Sequence, residues 1–386
     1  MIKIAFRQNL KYPLQLLLWT ILRDIESDLI FVFLNFNSAI YTPIMFLGEL
    51  LAGLIIYIYQ KQFFAKDKIK ELSKFASIQL KRVKGQKLFI DNKIKITFLI
   101  FYLALCDFVQ FVITLSTSKY IKNSGSAEVR LRGLLTIYAA LFYYYILRFP
   151  IFKHQKFSLI VIGICLVIEI ITEYIFQDLS YADFFIFILL IIIMEFFSSM
   201  LVAVEKYLFE FNNLNPFFVL MFEGVFGSIL SFTYSLFKSS FDDIIRFKKN
   251  NSSSDFALLI FALIIFLLLS GLKNIFRVLT TKIYSPATTT FMNYILNPFF
   301  LLYFYITEAG ERNTVYFIIN FIISTILSFI GCVYNEFLIL FFCGLERDTH
   351  RQIMIRSLNE TELGYINNFI ENDEVEDNIS RNATNG

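Results

Sequence analysis

The sequence predicts an all-α fold, a polytopic membrane bundle of nine to ten transmembrane helices. Three observations carry this. The chain is 57% apolar with a mean hydropathy of +0.62, outside the composition of ordinary soluble domains. Several apolar runs exceed the roughly 18–20 residues that cross a hydrocarbon core. Those runs are continuous, not alternating, so their backbone must be satisfied by helices and not by a barrel.

Taken in order, residues 1–28 form a basic amphipathic start, because Lys3, Arg7, Lys11 and Arg23 break every window long enough to span. The apolar stretch 14–22 is followed by charge instead of small residues, so no cleavable signal is expected, and an interfacial helix fits the segment. The transmembrane domain is assigned to 29–345, with a first clear span at 41–59 and a chain break near Asn35–Asn37 or Pro43. Residues 60–95 are rich in lysine and should face the cytosol, or a mitochondrial matrix, by the positive-inside rule. This loop reads as a solvated face, with no nucleic-acid partner. Eight more spans follow at 96–118, 127–147, 158–176, 182–207, 216–237, 256–280, 287–306 and 315–345. Their parity returns the chain to the side of the lysine loop, in agreement with Arg347, Arg351 and Arg356. The segment 238–255 falls on the opposite side as a loop, with sequons at Asn250 and Asn251. Residues 346–386 form a cytosolic tail, basic then acidic and asparagine-rich, with a disordered composition.

The chemistry-bearing residues are scarce. Cys106, Cys165, Cys332 and Cys343 lie in or beside apolar segments without metal-ligand spacing, and His154 and His350 lie in basic segments expected to be aqueous, neither within a catalytic constellation. No metal, cofactor or enzymatic activity is therefore expected. The informative residues are charges within spans, which cost several kcal/mol in a bilayer and mark pathways when they persist. Arg130 and Arg132 open the third span just before Gly133, where they either snorkel to headgroups or line a cavity. Glu49 is mid-span. Asp107 and Gln110 share a face, Lys273 and Arg277 share another, and Asn293 and Asn297 a third before Pro298. Glu223 precedes Gly224 and Gly227. Glu205, Lys206 and Arg277 lie near span ends, where snorkelling accounts for them.

Several blocks then line up with one family. MFLGE (45–49), ALCD (104–107), LRG (131–133), EK with following aromatic and aliphatic residues (205–208), EGVFG (223–227), SPATTT (285–290) and YN (334–335) occur in order. The chain thereby resembles the drug/metabolite transporter superfamily, in particular the F branch of the nucleotide-sugar-transporter-like solute carrier 35 family. The resemblance implies ten helices in two inverted five-helix repeats, a central cavity worked by alternating access, and an endomembrane location such as Golgi, endoplasmic reticulum or lysosome. By position, Asp107, Arg132 and Glu223 match polar positions of that pattern. The sequence departs from it where the first helix lacks a clear counterpart, where Tyr294 and Asn297 replace a charge pair, and where Glu195 replaces a glutamine.

The expected function is transport of a small organic anion, nucleotide-like or phosphorylated. Arg130, Arg132 and Lys273 would supply positive charge, Asn293 a polar contact, and Glu49, Asp107 and Glu223 a gating and packing network. The alternative is a non-transporting scaffold that keeps the fold and packs against other membrane subunits or a second copy. The aromatic load of 48 Phe and 21 Tyr favours that alternative.

Overall fold

The computed structural model describes residues 2–4, 18, 21–22, 40–63, 92–117, 131, 133–147, 151–176, 180–238, 240–250, 252–283, 295, 297–307, 314–336, 338–340 and 344–345. Ten helices organise them. They are α1 (Tyr41–Phe63), α2 (Lys93–Thr117), α3 (Gly133–Tyr145), α4 (Lys153–Phe176), α5 (Tyr181–Glu210), α6 (Pro216–Phe237), α7 (Ser240–Asn250), α8 (Ser253–Ile283), α9 (Asn297–Thr307) and α10 (Thr314–Tyr334). Among the described residues seven of them, α1, α2, α4, α5, α6, α8 and α10, are long and apolar enough to cross a membrane. The protein is an integral membrane helical bundle.

Local chemistry sets several helix starts. Ser180 caps α5, its hydroxyl accepting from the Asp183 amide at 3.2 Å. Asn215 caps α6 by accepting from the Phe217 amide at 2.9 Å, with Pro216 in the first turn, where its missing N–H costs nothing. At the start of α8 the Ser252 hydroxyl accepts from the Asp255 amide, and the Asp255 carboxylate accepts from the Ser252 amide, each at 3.2 Å. This reciprocal pair satisfies two amides that would otherwise lack acceptors.

Two packing groups share α5. In the first, α1 lies against α6 and α8, while α2 lies against α5 and α6. In the second, α4 packs on α10 and α3, and α9 packs on α10. Phe187 and Ile191 of α5 join the second core beside Ile162, Leu166, Ile323 and Leu327. The faces left outside are apolar; on α4, Ile160, Ile164, Val167, Ile171 and Ile175 are all exposed, as a lipid-facing stripe requires.

Four expectations change. The third and eighth predicted spans are described only as α3 and α9, of 13 and 11 residues, with residues 127–130, 132 and 287–294 outside the described set. The ninth does not continue to residue 345: α10 ends at Tyr334, and Glu336 takes a left-handed φ of 59°. Leu338–Leu340 is instead a strand (β2), antiparallel to Ile2–Ile4 (β1). The apolar run after Tyr334 resembles a continued span in composition alone, but 21 residues already complete a crossing. That ribbon also replaces a wholly helical reading of the N-terminal segment at residues 2–4. Finally, the expected loop 238–255 contains α7, an amphipathic helix packed on α6 and α8. Ile244 and Phe247 are its half-buried side, and Arg246, Lys248 and Lys249 are exposed.

Candidate functional site: a buried charge cluster

Helix α8 carries the centre of the site. Ser270, Asn274, Arg277 and Thr281 recur at intervals of four, three and four residues, so they form one stripe. All four are buried. Lys273 and Arg277 keep the common face that their spacing of four predicts, both within electrostatic reach of Glu49, with Arg277 buried and Lys273 half-buried.

The guanidinium of Arg277 meets acids from three other helices. Nη1 lies 3.2 Å from Glu205 Oε1 of α5. Nη2 donates to Glu223 Oε2 of α6 at 3.1 Å and lies 4.0 Å from Glu49 Oε1 of α1. Asn274 Nδ2 donates to that same Glu49 oxygen at 2.7 Å. Glu49, Glu205 and Glu223 are each fully buried, at 0% exposure. Asp107 of α2, half-buried, completes the acidic side: one carboxylate oxygen from each of Glu49, Asp107 and Glu223 lies within 4.8 Å of the others.

Arg277 belongs in this centre and not at a snorkelling end, which corrects its treatment and that of Glu205. Helix α8 has 31 residues and α5 has 30. At ~1.5 Å per residue each overruns a ~30 Å hydrocarbon core, so nearness to an end does not settle a charge's surroundings; here Glu205 and Arg277 are both buried between helices. A helical side chain also leans toward its own N-terminus, which carries the guanidinium deeper into the bundle. Lys206 does lie at an end: its Nζ is 2.8 Å from Glu210 Oε1 and donates to the Lys282 carbonyl at 2.9 Å.

The structure thus unites Glu49, Asp107 and Glu223 from the sequence candidates. It adds Glu205, Asn274 and Arg277, and sets Lys273 within electrostatic reach of Glu49. Arg130, Arg132 and Asn293 lie outside the described residues. The signal that could have found Asn274 is the period of the α8 stripe.

Around the cluster the helices approach closely through glycine. A Cβ on Gly48 would strike the Leu267 carbonyl oxygen, one on Gly224 the Leu50 backbone, and one on Gly227 the Phe46 ring. Phe46 packs edge-on to Phe111 at 6.1 Å, and Tyr41 to Phe266 at 6.2 Å, on one side of the acids.

A second polar patch joins α4 to α10. Tyr316 donates to the Glu173 carboxylate, 2.9 Å from both oxygens, and buried Glu169 lies one turn earlier on α4. Both glutamates escaped the sequence reading, although their spacing of four is legible. Cys106, Cys165 and Cys332 are free thiols, and Cys343 lies outside the described residues.

Chemically, the main cluster can hold a cation, exchange counter-charges or couple the rotation of five helices. In comparisons with known proteins, no family model matches the chain and no curated protein matches it.

Proposed function

We propose that this protein is a membrane carrier that moves a small organic solute by alternating access, of the drug/metabolite transporter type that its sequence blocks resemble. The observation that carries the reading is the cluster of Glu49, Asp107, Glu205, Glu223 and Arg277, drawn from five helices within an apolar bundle. Ionisable groups at such depth are expensive, and a solute or ion path is the usual reason they persist. A cluster shared by α1, α2, α5, α6 and α8 also gives these helices a common element whose rearrangement can open one face and close the other. The solute we assign is an organic anion. Support for its charge comes from Arg130, Arg132 and Lys273, since the guanidinium of Arg277 is already occupied by carboxylates.

The test is uptake into vesicles containing the purified protein, with a panel of nucleotide-like and phosphorylated solutes. Arg132→Ala is expected to abolish uptake while leaving expression and monodispersity intact; unchanged uptake removes Arg132 from the site. A scaffold is the second reading, favoured by the closed glycine seams and the aromatic packing beside Glu49. Single cysteines at positions 49, 107 and 223, in a background lacking the native thiols, separate the two. Labelling by a water-soluble reagent that candidate solutes alter supports the carrier. Complete protection in folded protein supports the scaffold.

A further inference from the structure

The acids of the central cluster outnumber its cations. Glu49, Asp107, Glu205 and Glu223 face Arg277 and Lys273, four carboxylates against two positive groups. Arg277 contacts Glu205 and one oxygen of Glu223, and Asn274 takes one oxygen of Glu49. Glu49 Oε2 and Glu223 Oε1, like the Glu205 oxygens beside Arg277, are completely buried and have no hydrogen-bond partner among the described residues. A buried acceptor without a donor is costly, more so when it is part of a carboxylate.

We propose that Glu49, Asp107 and Glu223 hold a hard divalent cation between α1, α2 and α6. One oxygen from each lies within 4.8 Å of the others. A cation at the centre of a triangle of that size is about 2.8 Å from each oxygen, so a contraction of a few tenths of an ångström reaches the ~2.3–2.6 Å of calcium. The donors are carboxylate oxygens, which suit calcium, magnesium or manganese over metals that prefer sulfur or imidazole. One divalent ion also balances the two surplus carboxylates. Asp107, the half-buried member, is the side from which an ion can enter. The inference goes beyond the carrier reading and does not need it; in a carrier the ion is the coupling species, and in a scaffold it is structural.

The experiment is equilibrium binding of Mn²⁺ to the purified full chain in detergent, read by the paramagnetic resonance of free Mn²⁺, with no solute present. Binding of one ion per chain, displaced by Ca²⁺, is expected. Glu49→Gln and Asp107→Asn should each weaken it by about tenfold or more. Glu173→Gln, which removes a buried acid of the α4–α10 patch, should leave it unchanged. Asp107 is only half-buried, so Asp107→Asn remains informative if Glu49→Gln does not fold. Failure of monodisperse wild-type protein to bind Mn²⁺ at millimolar concentration overturns the proposal. So does unchanged binding in folded Asp107→Asn. Thermal stability that responds to pH and not to Mn²⁺ also overturns it, by assigning the neutralisation to protons. Solute uptake is measured separately, so failure of ion binding and failure of the carrier reading are distinguishable.

Discussion

At the scale of single residues, Arg277 is the side chain on which the most depends. It is the common partner of Glu205 and Glu223 and lies at the edge of contact with Glu49. Replacing a buried ion pair wholesale by apolar groups is often harmless, but removing one member leaves uncompensated charge. Arg277→Met is therefore expected to destabilise the protein by about 3–5 kcal/mol. The measurement is thermal unfolding in detergent. Adding Glu223→Gln to Arg277→Met should recover part of the loss, because one stranded carboxylate is removed; no recovery would place the role of Arg277 outside this network. Glu49, Asp107 and Glu223 were legible as candidates because a carboxylate inside an apolar run is conspicuous. Glu205 was not, since a charge near a span boundary has the same local sequence whether it is buried or wet.

At the scale of elements, the joint between α1, α6 and α8 depends on the absence of side chains. Gly48 admits the backbone of α8, and Gly224 admits the backbone of α1. Neither obstacle is the flexible end of a side chain, so a methyl group at either place must push whole helices apart. Gly224→Ala is predicted to cost about 1–3 kcal/mol and to loosen the acidic cluster with it. Gly163 of α4 is the control, since a Cβ there would meet nothing within 4 Å. Gly163→Ala should be neutral or stabilising by about 0.5–1 kcal/mol, from helix propensity alone. Equal effects at the two sites would refute close packing as the role of Gly224. The MFLGE and EGVFG blocks show Gly48 and Gly224 in the sequence, but not which helix each receives.

At the scale of the whole molecule, contacts between distant segments agree on a direction for α1, α4, α5, α6, α8 and α10. The end of α1 meets the start of α6, where Asn215 Nδ2 donates to Gln60 Oε1 at 2.9 Å. The ends of α5 and α8 meet through Lys206 and the Lys282 carbonyl. His154, at the start of α4, lies 3.5 Å from Glu336 just past α10. All of these sites, and the β1–β2 ribbon, fall on the face that parity assigns to the lysine-rich segment after α1. Tyr316 and Glu173 meet at the other face, as do α7 and its neighbours. Single cysteines replacing Lys61 and Lys93 should thus react with an impermeant thiol reagent from one side of sealed vesicles, and one replacing Lys249 from the other. Labelling of all three from the same side would show that the five helices α2–α6 do not make five crossings.

The sequence by itself determined the membrane class, the positions of the main spans, their alternating direction and three members of the central cluster. These properties are sums over about twenty consecutive residues, or single charges within such a sum, so no knowledge of neighbours is needed. Only the tertiary structure decided that α10 stops at Tyr334 and hands its apolar continuation to a strand, because that choice depends on the N-terminal strand that pairs with it. It alone decided that Arg277 is buried against the carboxylates of α5 and α6 while Lys273 stays half-buried. The rotation of α8 about its axis follows from the glycine contacts with α1 and the acids of α5 and α6, and hydropathy is blind to rotation.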